Sequence, residues 1–310
     1  MAVSLLTIIV NMRGVIEMEG SRRKYQAGMI LSAVLFGTVG IFTKSIDESG
    51  PVIACGRGII GVAALLLIAK ISGNPLRISA LKGELRFVVG AAAALAANWI
   101  LSFSAYKVAD VSVCSVCLYV YPVIFVLMLA GLGIERLQKK QFLLILTAVV
   151  GIFLTSGAYS ADTAFERNRE GIILALGAAV FGAVTVLINK NLRKSDPTHA
   201  TTFQLAVATV FTLLYIIFTR SLPEWSMNSQ TILLLFAMGI IHTGICYTLQ
   251  FSCIRHLNGA SGIVLVYLDP VTAMVLSHLL FGESLEPLQV FGAVLVLGSV
   301  LLIQLVGQKR

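Results

Sequence analysis

The chain has 310 residues, of which 57% are hydrophobic and only 12% charged, against about 25% charged in an ordinary soluble domain. That composition excludes a soluble enzyme or binding module and points to a chain that lives in a bilayer. The formal charge of +8 would suit nucleic acid if it were clustered, but the basic residues fall in alternate loops, so no nucleic-acid partner is expected.

A hydrocarbon core about 30 Å thick takes roughly 20 apolar residues per helical span. The opening stretch MAVSLLTIIVNM is too short to cross and lacks the charged leader of a signal peptide. It reads as an interfacial extension or as sequence upstream of a true start at Met18, within an N-terminal cytoplasmic segment 1–26. Ten apolar runs follow, near 27–46, 51–70, 86–105, 111–132, 140–158, 171–190, 199–219, 230–250, 260–281 and 287–306. They are apolar on all faces and rich in Gly and Ala, which suits helices packed closely in lipid. Barrel strands would alternate every second residue, and these do not.

Seventeen of the 23 Lys and Arg residues lie in the segments that share a side with the N-terminus. Five (Lys44, Lys107, Arg167, Arg169 and Arg220) lie in the opposite loops, and Arg57 stands inside a span. Basic residues concentrate in cytoplasmic loops, so the bias predicts a multi-pass cell (inner) membrane protein with both termini in the cytoplasm. The five cysteines sit in or beside apolar runs, and CSVC at 114–117 has no second pair and no neighbouring His. They read as small packing groups, and no metal or other cofactor is expected.

The chain repeats itself. Residues 103–137 align without a gap on 251–285 at an offset of 148, matching Phe103, Ser104, Val116, Tyr119, Pro122, Val123, Leu132, Glu135 and Leu137 to Phe251, Ser252, Val264, Tyr267, Pro270, Val271, Leu280, Glu283 and Leu285. Phe36-Gly37 likewise meets Phe181-Gly182 at an offset of 145. Two five-span repeats are therefore expected, 27–158 and 171–306, joined by a linker at 159–170. Because five is odd, the second repeat enters the membrane from the opposite side. Inverted repeats are a recurring plan of secondary transporters, with the binding site at the midplane between them. The soluble segments are too short for a catalytic domain, and no GxxxxGK[ST] supports an ATP-driven pump.

Two repeats, each with Tyr and Pro in its fourth span, a Glu just after it and a tight turn into the fifth, resemble the EamA-type family of the drug/metabolite transporter superfamily. The matching residues are Phe36-Gly37 with Lys44, Arg57, FSAYKVAD and YVYPVIFVLMLAGLGIERL in the first repeat, and LQFSCIRHLNGASGIVLVYLDPVTAMVLSHLLFGESL in the second. The resemblance implies a ten-helix inner-membrane transporter, commonly an exporter of amino acids or other small metabolites, with a cavity between the repeats. Family members often carry Arg near position 57.

Candidate cavity residues are Arg57, Asn98, Trp99, Tyr119, Gln204, His242, Tyr247, Tyr267 and Asp269. Arg57 within a span costs about 2.5–3.5 kcal/mol on insertion scales, so it faces water, a partner or substrate, or else snorkels to the interface from its place near Pro51. Gln204 is its repeat mate. Trp99 and Tyr247 are also mates, and they read either as cavity rings with polar handles or as an interfacial belt. His242 is a proton-coupling group or a satisfied buried imidazole. Pro122 and Pro270 predict paired kinks. Asp269, near the centre of its run, has only Tyr121 as counterpart, and it binds a cationic group, carries a coupled proton or makes a structural hydrogen bond. Lys44 reads as a snorkelling anchor, Glu135 and Glu283 as turn and cap residues, and His278 as a packing or interfacial residue. The predicted function is alternating-access transport of a small molecule, coupled to protons. A non-transporting receptor or assembly subunit needs no motif and stays as the alternative. A membrane-embedded enzyme is disfavoured, because no HExxH or GxSxG occurs.

Overall fold

The computed structural model describes residues 22–307 except 72, 74–75, 82, 135–137, 156–162, 191, 193–196, 222–227, 255–264 and 284–285. Met18, Glu135, Arg255 and Val264 therefore lie outside the described residues. The described residues form ten helical spans. Span one is Arg22–Gly37 continued by Val39–Ser45, and spans two and three are Gly50–Ile71 and Leu85–Val108. Span four is Val111–Leu118 continued by Tyr121–Gly131, and span five is Lys139–Thr155. Spans six and seven are Thr163–Asn189 and Pro197–Thr219. Span eight runs through Ser229–Ala237, Met238–Ile245 and Cys246–Ile254, and spans nine and ten are Leu268–Phe281 and Pro287–Gly307.

Seven of these stretches are long and apolar enough to cross a membrane; Leu268–Phe281 and Pro287–Ile303 are shorter apolar helices. The outer surface is covered with large apolar side chains: Phe218 is 82% exposed, Leu279 69% and Val294 62%. In water such a surface would drive association. Against lipid tails it is the ordinary outside of the molecule. Span six starts at Thr163 rather than near 171, so the expected linker is largely its first two turns. Asp110, at the start of span four, is ion-paired with Arg167 there and accepts from Asn168 Nδ2 at 2.9 Å.

Packing follows the repeat. Span three packs on span six as span eight packs on span one; two meets eight as seven meets three; four meets six as nine meets one. Spans two and seven, four and nine, and five and ten meet their own counterparts. Exchanging each span for the one five places along therefore maps the main contacts between the repeats onto themselves, although the contact of spans two and three has no counterpart of like extent between seven and eight. One pair of helix approaches obeys the same rule. A Cβ on Gly37 would stand 2.6 Å from the Asp269 carbonyl oxygen, and one on Gly182 would stand 3.5 Å from the Cβ of Tyr121, which is Asp269's counterpart. Spans five and ten begin alike too: Gln141 Oε1 accepts from Gln138 N at 3.0 Å, and Gln289 Oε1 from Glu286 N at 2.9 Å. Each glutamine satisfies a donor that a helix start leaves open.

Spans four and nine, which meet each other across the repeats, are both interrupted. Pro122 has no N–H for the Leu118 carbonyl, and Pro270 none for that of Val266. Regular helix gives way at Tyr119–Val120 and again at Tyr267, which are equivalent positions. Span one breaks at Thr38, whose hydroxyl donates back to the Leu35 carbonyl at 2.7 Å.

Candidate functional site

Span eight carries the least regular helix in the molecule. Met238–Ile245 is a π-helix, with His242 near its middle. A π turn widens the helix by a residue and is frequent at functional sites. Here it lies against span two, where a Cβ on Gly239 would stand 2.5 Å from Ile60 Cβ. His242 is 1% exposed, and its Nε2 lies 2.7 Å from Thr38 Oγ1 at the break in span one. The hydrogen of Thr38 is already committed to Leu35. We therefore assign the Nε2–H as the donor to Thr38, which leaves Nδ1 of the neutral ring as an acceptor. The ring also interacts with the backbone of Leu35 and of Met238, the residue one turn before it.

Beside it is Arg57, 4% exposed. Its guanidinium carbon lies 5.1 Å from the centre of the Trp99 ring and 5.0 Å from that of Phe103. Tyr247 is hydrogen-bonded to it. The structure thus gathers Arg57, Trp99 and Tyr247, and adds Phe103 and Thr38. Trp99 is only 3% exposed, which is not the setting of a residue in an interfacial belt. A cation–π contact contributes about 0.5–2 kcal/mol, too little to replace lost hydration. Among the described residues no carboxylate is ion-paired with Arg57, and its Nε has no partner.

A second polar centre lies where spans four and nine break. The Tyr119 hydroxyl donates to Asp269 Oδ2 across the repeat boundary. Around this bond stand Tyr267, its ring centre 5.8 Å from that of Tyr119, and Tyr121 at 6.4 Å. The hydroxyl of Tyr267 is buried with no partner among the described residues. Tyr106 and Cys246 are within electrostatic range of both Arg57 and Asp269, so the two centres are neighbours across a short apolar and aromatic gap.

Two other expected cavity residues lie differently. Asn98 Nδ2 donates to the Ala178 carbonyl at 2.7 Å, tying span three to span six. Gln204 is buried in span seven, 3% exposed. At one end of the bundle the reading of Lys44 and Glu283 needs correcting. Lys44 Nζ donates to Glu283 Oε1 at 2.7 Å instead of reaching for the interface. Glu283 accepts from Val111 N at 3.1 Å and from Ser112 N and Oγ at 3.2 and 3.0 Å. It therefore caps span four, not span ten, because an acid that ends span nine meets a helix start of the other repeat. His278 Nδ1 lies 2.9 Å from the Glu283 carbonyl at the same turn. A cleft beside Gln138, Lys139, Phe142 and Leu143 is remote from both centres; Leu143 is 62% exposed, so that cleft belongs to the lipid-facing surface.

A ten-span apolar bundle of two packed repeats, with a buried arginine and a part-buried carboxylate within its spans, defines a multi-pass membrane protein, and the family match makes it a transport protein and not an enzyme. The chain belongs to the EamA-like transporter family, whose sequence profile matches residues 24–157 and again 169–305. It is similar to the uncharacterized transporter YxxF of Bacillus subtilis (strain 168), with 26% identity over 88% of this chain and 87% of that one. An uncharacterized transporter of Archaeoglobus fulgidus is 24% identical over 89% of this chain and 95% of its own length. Among solved structures, one crystal structure superposes with a TM-score of 0.65 over 94% of this chain, at 19% identity, and so supports the fold alone.

Proposed function

We propose that the chain is a secondary transporter that moves a small metabolite, an amino acid or related compound, across the cell membrane by alternating access. The reading places both termini in the cytoplasm, follows the family resemblance in running outward, and gives Asp269 the coupled proton. The observation that carries it is the Tyr119–Asp269 bond. It joins the two repeats at the point where both of their broken helices meet. Binding a proton at Asp269 would change what Tyr119 can donate to, and so would act on the contact that holds one repeat against the other. A group that is both chargeable and part of the inter-repeat contact is what coupling requires.

The test is flux in proteoliposomes containing the purified chain, with radiolabelled amino acids and related metabolites, with and without an imposed pH gradient. Gradient-driven flux is expected for at least one compound and absent from Asp269→Asn, at equal protein incorporation. No flux above empty liposomes across the panel would overturn the transport reading. Undiminished flux in Asp269→Asn would remove this carboxylate from the mechanism.

A further inference from the structure

A buried guanidinium normally comes with an acid. Arg57 is 4% exposed and has none among the described residues. Its guanidinium carbon lies over the Trp99 and Phe103 rings, 5.1 and 5.0 Å from their centres, and Tyr247 supplies a hydrogen bond. That leaves the Nε edge, where the donor has no partner. In side-on recognition a carboxylate takes two parallel bonds, one from Nε and one from a neighbouring Nη. The donor left unpartnered here is the one that such a ligand uses.

From this we infer that the Arg57 edge, framed by Trp99, Phe103 and Tyr247, is a carboxylate subsite. The inference rests on the transport reading and adds to it the chemical class of one end of the substrate. Charge favours a carboxylate over a phosphate. Among the described residues of this centre Arg57 is the only group with a fixed positive charge, and Lys44 and Lys107 are engaged at a bundle end, with Glu283 and with the Ile46 carbonyl. A dianion would bring a second charge with no cation to meet it, whereas one carboxylate balances one guanidinium. A purely structural arginine, by contrast, would be expected to spend its Nε on a carbonyl or an acid, as Asn98 spends its amide on Ala178.

Trp99 reports on this site directly. The chain has two tryptophans, Trp99 and Trp225, so Trp225→Phe leaves emission from Trp99 alone. The Trp225→Phe protein in nanodiscs is titrated with each amino acid, its carboxamide and its decarboxylated amine, and with short mono- and dicarboxylates. A saturable change in emission is expected with one or more carboxylates, with half-saturation roughly tenfold to a hundredfold weaker for the matching amide or amine. In Arg57→Gln that discrimination is lost. Arg57→Lys, which keeps the charge but not the fork, retains the preference at weaker binding. Thermal unfolding of each variant shows that it is folded.

Equal response to acids and amides, a preference that persists in Arg57→Gln, or a silent Trp99 across the panel would each overturn the subsite. Parallel flux measurements separate the two ideas. Carboxylate binding without any flux keeps the subsite and sinks the transport reading, while flux that ignores the carboxylate keeps transport and sinks the subsite.

Discussion

The two halves of this molecule share a frame and differ in chemistry. At equivalent places the first half has Tyr121, Ala94 and an unbroken helix Leu85–Val108, while the second has Asp269, His242 and a π-helix. Conversely the first half has Arg57 where the second has Gln204. The main packing contacts between the halves map onto each other under their exchange, yet neither Arg57 nor Asp269 is duplicated. The lesson is that the repeated residues serve the frame and the unrepeated ones serve the chemistry. Tyr119 and Tyr267 show this most clearly: the same residue at the same place has an acceptor in one half and, among the described residues, none in the other.

That comparison can be broken most decisively by moving the carboxylate. Asp269→Tyr alone is expected to abolish gradient-driven flux. Adding Tyr121→Asp creates the mirror arrangement, with an acid at 121 and the partnerless Tyr267 hydroxyl to donate to it. If the frame is symmetric, the double variant recovers part of the flux; a dead double variant in a folded protein would show that the frame is not symmetric where it matters.

Glycine substitutions probe the same frame with a smaller effect. Gly37→Ala drives a Cβ to 2.6 Å from a backbone oxygen of span nine, whereas at Gly182 the nearest atom is the Asn98 amide nitrogen at 3.3 Å. Overpacking of this kind costs about 1–3 kcal/mol, so Gly37→Ala should lower the thermal midpoint well below that of Gly182→Ala. Next come the hydroxyls. Tyr119→Phe removes the donor to Asp269 and should cost about 1–3 kcal/mol in unfolding by denaturant. Tyr267→Phe removes a hydroxyl that has no described partner, and is expected to be neutral or stabilising. The smallest effects belong to the caps. Gln141→Ala and Gln289→Ala should each cost about 1 kcal/mol. Gln289 should cost more, since its Nε2 also donates to the Thr155 carbonyl at 3.3 Å.

The ten spans, the duplication and the family were legible because each rests on something the chain writes in order: apolar run length, a fixed offset, a motif repeated twice. Asp269 and Arg57 were legible because a charge within an apolar run is conspicuous. What the sequence hid was pairing across distance. Nothing local to Lys44 or Glu283 says that a residue ending span nine will cap span four. Phe103 was visible only as a repeat identity, and Thr38 not at all, until span eight brought His242 and Tyr247 against span one and spans two and three brought Arg57 against Trp99 and Phe103. The π-helix has no periodic signature, because one extra residue in a turn leaves an all-apolar pattern unchanged. Asn98 was readable as a polar group in a span, but whether it met a ligand or a backbone carbonyl depended on where span six lay.

Tyr119 touches its own counterpart, Tyr267, so this contact lies on the axis that relates the halves. Two copies of a single five-span protein, assembled about such an axis, would hold either no carboxylate there or two, and two would repel. A chain in which both halves are fused is free of that arithmetic. It can hold one acid, and with it one proton, at the centre of its symmetry, and a transporter built this way can count protons singly where a homodimer would be bound to an even number.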